Sequence, residues 1–261
     1  MTQQAEAILS VERVAVHFGG LIAISDMTFS VRAGEIVGLI GPNGAGKTTA
    51  FNVITGFLRP TSGDVRYRST SLNGLTPHEI AKLGLLRTFQ RTSVFQERSV
   101  FQNVLTGLHI QGRSGLWDTL LRTRRETASE AELANAAREI LRFVGLEQLA
   151  DERAGTLPYG EQRLLGVALA LAGKPLMLLL DEPVSGMNPS ETARFVKLVH
   201  KIRDSGVTIL LVEHDMPMVM GVCDRIVVLN FGSIIAEGSP AEIQSNREVI
   251  SAYLGEGKKR A

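Results

Sequence analysis

The sequence is poor in the features that would tie a protein to an oxidising compartment, a bilayer or a polyanion. It has one cysteine, Cys223, so no internal disulfide can form, and a reducing compartment fits. Cys223 lies between apolar Val222 and the Asp224-Arg225 pair, where a small buried side chain is expected rather than a nucleophile. The 28 basic and 27 acidic residues nearly cancel, leaving no global field to draw the chain onto nucleic acid or an anionic membrane. No apolar run approaches the roughly 20 residues that span a bilayer. The longest, Pro175 to Leu180, is strand-sized. Met1 to Ser10 carries Glu6 and neither a basic segment nor a long apolar core, so a signal peptide is not expected there. No internal repeat is visible. A role at a membrane therefore needs another chain as anchor.

What is present is a long enough chain, 261 residues, for one large domain or for a core with a smaller lobe. The most informative stretch is Gly41-Pro42-Asn43-Gly44-Ala45-Gly46-Lys47-Thr48-Thr49, a G-x-x-x-x-G-K-[ST] match. It follows the apolar run Ile36 to Ile40 and precedes helical spacing in Ala50 to Ile54, the strand–loop–helix context that the pattern requires. The glycines let the backbone curl so that successive N–H groups form an anion-binding nest. The following helix adds its positive N-terminal end. Lys47 then reaches the outer phosphates, and the Thr48 hydroxyl is a ligand for Mg²⁺. Nucleoside triphosphate binding is the consequence, as opposed to a plain glycine turn into a helix.

Along the chain, Leu9 to His17 and Ile24 to Val31 read as close, antiparallel strands. Val65 to Tyr67 is a short strand, and His78 to Leu86 is expected to be a helix started by Thr76-Pro77. From about residue 91 to 160 helical spacing dominates, with an apolar stripe of Leu133, Ala136, Ala137, Ile140, Leu141 and Val144. Arg113, Arg122, Arg124 and Arg125 lie in a polar stretch of this block, a solvated loop or helix face. Beyond it come a helix over Gly160 to Ala172, the buried strand Leu176 to Leu180 and a helix opened by Asn188-Pro189-Ser190-Glu191. In that opening Asn188 is the N-cap and Glu191 reaches back. A buried strand over Val207 to Val212, a hairpin across Phe231-Gly232 and a last helix from Ala241 to Leu254 complete the pattern. The expectation is one domain over residues 1–255. Its core spans 1–90 and 161–240, its helical subdomain about 91–160 and its C-terminal helix 241–255, with a basic tail at 256–261. Strands alternating with helices imply a mainly parallel sheet with its ligand at the strand C-termini.

Two further groups of residues carry chemistry. An apolar strand ends in Asp181-Glu182, and two adjacent carboxylates need not do the same job. Asp181 can hold Mg²⁺ directly or through water. Glu182, pointing elsewhere, can polarise an attacking water. His214 follows another buried strand. Beside a phosphate site it can donate to the terminal phosphate or hold Glu182; elsewhere it is an ordinary hydrogen-bonded histidine.

Taken together, Gly41 to Thr49, Gln90, Leu157 to Arg163, Leu178 to Pro183 and Val212 to Asp215 resemble an ATP-binding subunit of an ABC transporter, over nearly the whole chain from Leu9 to Gly255. The resemblance implies an α/β fold of ABC ATPase type: a P-loop NTPase core, with a mainly parallel sheet and an antiparallel β subdomain, plus an inserted helical subdomain. It implies that Phe18 stacks on adenine and that Gln90 contacts Mg²⁺ and the lytic water. Glu182 is the general base by the same resemblance, and His214 the switch histidine. Residues Pro158 to Glu161 match the signature motif, which faces the γ-phosphate held by a second subunit, so Tyr159, Gly160 and Glu161 become nucleotide contacts in trans. Ser185 to Asn188 match the loop that crosses the dimer interface. Against the usual Leu-Ser-Gly-Gly-Gln, Pro158 replaces the serine, Tyr159 the first glycine and Glu161 the glutamine, so one hydroxyl donor is missing.

These departures, with Gly186-Met187-Asn188-Pro189 and the tail Ala252-Tyr253-Leu254-Gly255-Glu256, resemble the larger of the two ATPases of branched-chain amino acid uptake systems. ATPases for urea uptake or lipopolysaccharide export are related alternatives. A non-transport ABC ATPase of DNA repair or translation fits less well with a single cassette and near-zero net charge. The implied cofactors are ATP and Mg²⁺. The implied partners are a second copy or a related ATPase, integral membrane permease subunits and, indirectly, a substrate-binding protein, without nucleic acid. The implied location is the cytoplasmic face of the inner or plasma membrane. The permease groove is expected around Thr92 to Asn103, where Phe95, Val100, Phe101 and Val104 can supply an apolar contact, the alternative being that at least half of them pack the helical subdomain internally.

Overall fold

The computed structural model describes residues 7–88, 94–111 and 124–255. The strands are β1 (Ala7–Phe18), β2 (Leu21–Arg32), β3 (Ile36–Ile40), β4 (Ser62–Tyr67), β5 (Thr70–Ser71), β6 (Leu85–Arg87), β7 (Met177–Asp181), β8 (Thr208–Val212), β9 (Arg225–Asn230) and β10 (Ser233–Gly238). The helices are α1 (Lys47–Ile54), α2 (Pro77–Lys82), α3 (Val100–Gln111), α4 (Arg124–Val144), α5 (Tyr159–Ala172), α6 (Pro189–Asp204), α7 (Met216–Val222), α8 (Pro240–Ser245) and α9 (Arg247–Gly255). They divide into two compact units, Met1–Arg87 with Leu176–Ser185 and Thr192–Ala261, and Thr88–Pro175 with Gly186–Glu191.

In the first unit the strands follow the order β5-β4-β1-β2-β10-β9-β3-β8-β7-β6. The antiparallel set β1, β2, β4 and β5 meets the rest through one parallel pairing, Ser233 with Asp26. Strands β9, β3, β8, β7 and β6 run parallel. Every residue of β3, β7 and β8 is buried, as expected of parallel strands covered on both faces. Such strands have no exposed face for chemistry, so polar residues appear where the strands end. Cys223 is buried at this sheet, and burial, with Asp224 beside it, pushes its thiol up to about 12. It is a packing residue.

Two helix expectations change. The segment read as one helix over His78 to Leu86 ends at Lys82, and Leu85–Arg87 is β6. Gly84 at φ 92 turns the chain, and pairing with β7 gives the apolar pair Leu85-Leu86 an edge position that helical spacing cannot signal. The helix read over Ala241 to Leu254 is two, α8 and α9. Asn246 separates them because its side chain accepts from the Glu248 and Val249 amides and so starts a new helix.

In the second unit α3, α4 and α5 pack together around Val104, Leu108, Ala137, Leu141, Leu165 and Ala168. The helix α5, expected mostly in the core, belongs to this unit, which runs on to Pro175. Val100 and Val104 are fully buried and pack inside this unit, the internal role expected for half of the four apolar residues, whereas Phe95 is 52% exposed. The basic cluster Arg113 to Arg122 and the tail 256–261 lie outside the described residues.

The first unit is tied across its sheet by Arg225. Its guanidinium donates to both Glu35 oxygens at 2.8 Å and to the Ser30 carbonyl at 2.6 Å, and it also bonds Glu237. Burial raises the Glu35 carboxyl, but the hydrogen bonds from Arg225 and the Arg32 amide outweigh it and hold the group below its ordinary 4.5. A depressed carboxylate stabilises the fold fully above its unfolded pKa, and that contribution is lost as pH falls through the lower folded value. Thermal unfolding from pH 7 to pH 3 should show Glu35→Gln less stable than wild type near neutrality, with a shallower loss of stability below pH 4.5.

Candidate functional site

The phosphate loop leaves β3 and enters α1 through backbone that tolerates no side chain at its first glycine. A Cβ on Gly41 would lie 2.0 Å from the Leu229 carbonyl oxygen. Gly46, at φ 106, caps α1 with no side-chain hydrogen bond, so no capping side chain satisfies the first amides of the helix. Gly232 donates to the Ala45 carbonyl at 2.9 Å, which fixes the β9–β10 turn against the loop. Lys47 is buried and folds back onto the loop, donating to the Gly41 and Pro42 carbonyls at 2.6 and 2.9 Å. Asn43, Gly44 and Thr48 are exposed. Phe18, at the end of β1, is half exposed beside Leu21 and Ile22. This geometry fits a triphosphate: a backbone cradle, an uncapped helix start and one cation within the loop.

The carboxylates follow from strand register. Asp181 of β7 pairs with Val212 of β8, and β8 neighbours β3. Asp181 is buried, and its Oδ2 accepts from Arg87 Nη2 at 2.6 Å. Arg87 also donates to Asn52 Oδ1 at 2.8 Å and to Thr55 Oγ1 at 3.3 Å, and it stacks over Phe51. One guanidinium thus ties the end of β6 to α1 and to Asp181. Among the described residues no cluster of three or more His, Cys, Asp or Glu could hold a metal by itself. The donors Thr48 and Asp181 are hard oxygen ligands of the kind Mg²⁺ takes in small number, completing its shell with phosphate and water.

Glu182 sits one residue on, at φ 45, in the left-handed region that a side-chain-bearing residue rarely occupies. His214 Nδ1 lies 3.9 Å from Glu182 Oε1 and the same distance from Glu213 Oε2. The structure therefore brings together in one unit the loop, Asp181, Glu182 and His214. Tyr159, Gly160 and Glu161 belong to the other unit, at the start of α5. Pro158 is the N-cap of α5 and makes no side-chain cap, so the donors there are the amides from Tyr159 onward. Tyr159 is 47% exposed, with Arg163 stacked on its ring and bonded to its hydroxyl. Asn188 caps as expected: its Oδ1 accepts from the Ser190 and Glu191 amides at 3.0 Å, and Glu191 accepts from the Asn188 amide at 2.8 Å. Gln90 lies outside the described residues.

Two residues of this site are not among the candidates read from the sequence. Arg87 is one, and its only signal is a cation directly after an apolar pair, Leu85-Leu86. Glu213 is the other, buried directly before His214. Replacing Arg87 by methionine would leave Asp181 a buried charge without its cation, which costs about 3–5 kcal/mol. Thermal unfolding of Arg87→Met should show a loss of that order, with Arg87→Lys in between because it cannot reach Asp181 and Asn52 together.

A sequence model of the family described as ABC transporter matches residues 24–185. A second, described as branched-chain amino acid ATP-binding cassette transporter, matches residues 233–259. Over 253 residues the chain is 44% identical to the high-affinity branched-chain amino acid transport ATP-binding protein LivG of Salmonella typhimurium, covering 97% of this chain and 99% of that protein. It is 42% identical over 250 residues to BraF of Pseudomonas aeruginosa, a protein of the same description, covering 95% of this chain and 98% of that one. Among solved structures, the ADP conformation of an ATP-binding cassette of an ABC transporter superposes with a TM-score of 0.83 at 32% identity, covering 96% of this chain and 99% of the other. The chain belongs to the ATP-binding subunits of ABC transporters.

Proposed function

We propose that this chain binds and hydrolyses ATP to energise an importer of branched-chain amino acids. The observation that carries hydrolysis is the approach of His214 to Glu182 at 3.9 Å, at the ends of the paired strands β8 and β7, of which β8 lies beside β3, the strand feeding the phosphate loop. The choice of solute is supported by the similarity over 97% of the chain to a protein described as a branched-chain amino acid transport ATP-binding protein, and by the branched-chain amino acid family model at residues 233–259.

In this reading the loop amides bind the phosphates, and Lys47 exchanges its bonds to the Gly41 and Pro42 carbonyls for phosphate oxygens. Phe18 stacks on adenine. Thr48 and Asp181 would hold Mg²⁺, with Gln90 assigned by resemblance as a further ligand and contact to the lytic water; when bound, such an ion would supply charge neutralisation at the phosphate oxygens. Glu182 orients the attacking water and takes its proton. His214 donates to the γ-phosphate and holds Glu182 in place. A second ATPase subunit, identical or related, presents Tyr159, Gly160 and Glu161 at the start of its α5 to this chain's γ-phosphate, so that ATP joins the pair and hydrolysis releases it.

Docking to permease subunits falls to the second unit. There Asn103, fully buried, binds the Phe95 main chain on both sides, accepting from its amide at 2.8 Å and donating to its carbonyl at 3.1 Å. That holds Phe95 outward, with Arg98 stacked on its ring, beside a groove lined by Arg98, Gln102, Leu105 and Thr106. No described helix is long and apolar enough to cross a membrane, so attachment to the cytoplasmic face is assigned to the permeases.

Glu182→Gln should reduce phosphate release by roughly 10²- to 10⁴-fold and still give an ATP-dependent pair by size-exclusion chromatography. Near-wild-type turnover in that variant overturns the assignment of the base. Co-purification with two permease subunits and ATP-dependent leucine uptake in vesicles should accompany the wild-type chain. Salt-sensitive DNA binding without a membrane partner overturns the transport reading.

A further inference from the structure

Glu213 is buried at the end of β8, and its side chain is fully shielded from solvent. It is acidic and next to His214, yet the chemistry above gives it no task. Its two oxygens face different loops. Oε1 accepts from the Val184 amide at 2.9 Å. Oε2 accepts from the His214 amide at 2.9 Å and from the Asp215 amide at 3.3 Å. The first loop follows Glu182 and the second carries His214.

The need for such a link follows from the chain itself. The Glu182 amide continues the β7–β8 ladder, donating to the Val212 carbonyl at 2.9 Å. At φ 45 the backbone then turns away. Pro183 follows and has no N–H, so Val184 carries the next donor. Val184 is buried, and a buried amide left without an acceptor is costly. Glu213 supplies the acceptor. Ser185 closes the turn by donating to the Glu182 carbonyl at 3.3 Å. Residues in the left-handed region persist only where the surroundings over-determine them, and here the Val212 carbonyl and the Glu213 carboxylate do so from one strand end.

We propose that Glu213 is a positioning residue for hydrolysis: by bridging the Val184 amide to the His214 and Asp215 amides, its carboxylate fixes the separation of Glu182 and His214. This rests on the reading of Glu182 as the base. A glutamine at 213 has one acceptor oxygen and turns an NH₂ donor toward one of the two loops, so it can serve only one of them. Aspartate keeps both oxygens but is one methylene shorter.

The test uses the full chain, with steady-state ATP hydrolysis, titration of a fluorescent ATP analogue and thermal unfolding on the same preparations. For Glu213→Gln we expect kcat to fall roughly 10- to 100-fold, with KM and analogue affinity within about threefold of wild type. Glu213→Asp should fall in between. In a Glu182→Gln background, Glu213→Gln should cause little further loss, because both changes act through one group. A kcat within about twofold of wild type in Glu213→Gln overturns the proposal. So does a fall in kcat matched by equal losses of analogue binding and unfolding temperature, which would make Glu213 a structural residue only. Should Glu213→Gln not fold, the same split is read on Glu213→Asp, and failure of both to bind nucleotide also overturns it. Near-wild-type turnover in Glu182→Gln refutes the base assignment, whereas an inactive Glu182→Gln beside a fully active Glu213→Gln refutes only the bridge.

Discussion

The register between β7 and β8 is the constraint on which the site depends. Because Asp181 pairs with Val212, the two strands end level, and the residues just past them, Glu182 on one and Glu213-His214 on the other, face each other across a single strand spacing. Neither strand has a polar face of its own, since every residue of both is buried. Apart from Thr208 at the start of β8, the side-chain polarity of these two strands is therefore concentrated at their C-terminal edge. A slip of one residue would turn alternate side chains to the opposite face and separate the two loops. The buried aliphatic runs that look like mere core are thus what sets the separation of Glu182 and His214.

The same edge is held by charges that are themselves bonded rather than free. Arg87 reaches from β6 to Asp181, Asn52 and Thr55, so the carboxylate at the strand end and the helix behind the phosphate loop share one cation. Arg225 plays a similar part at the other side of the sheet, gathering Glu35, Ser30 and Glu237. Buried ion pairs of this kind are weak evidence for added stability but are costly to break. Their value here is positional, since each joins segments far apart in sequence.

The second unit presents the opposite design. Its α5 begins at a proline cap with no side-chain hydrogen bond, followed by a half-exposed tyrosine held by Arg163. A helix start without a capping side chain, with polar groups arranged around it, suits an anion brought by another molecule. With Pro158 as the cap, the hydrogen-bond donors at this helix start are backbone amides from Tyr159 onward.

Several elements were legible from residues alone because their signals are local. The glycines and lysine of the loop, the Asn188–Glu191 cap and the aliphatic runs of β3, β7 and β8 each announce themselves within a few positions, as backbone conformation and burial are set there by neighbouring residues. Leu85-Leu86 reads as the end of a helix because a two-residue apolar pair has no period of its own, and only pairing with Met177 and Leu178 makes it a strand. Asn246 divides the last helix by a side-chain choice that competes with helix continuation, and its sequence pattern does not say which wins. By itself, then, the sequence determined the fold class, the nucleotide loop and Asp181, Glu182 and His214 as candidates beside it. Only the tertiary structure decided that Arg87 and Glu213 belong to the site, because their partners lie 94 and 29 positions away and are brought near by strand pairing rather than by spacing along the chain.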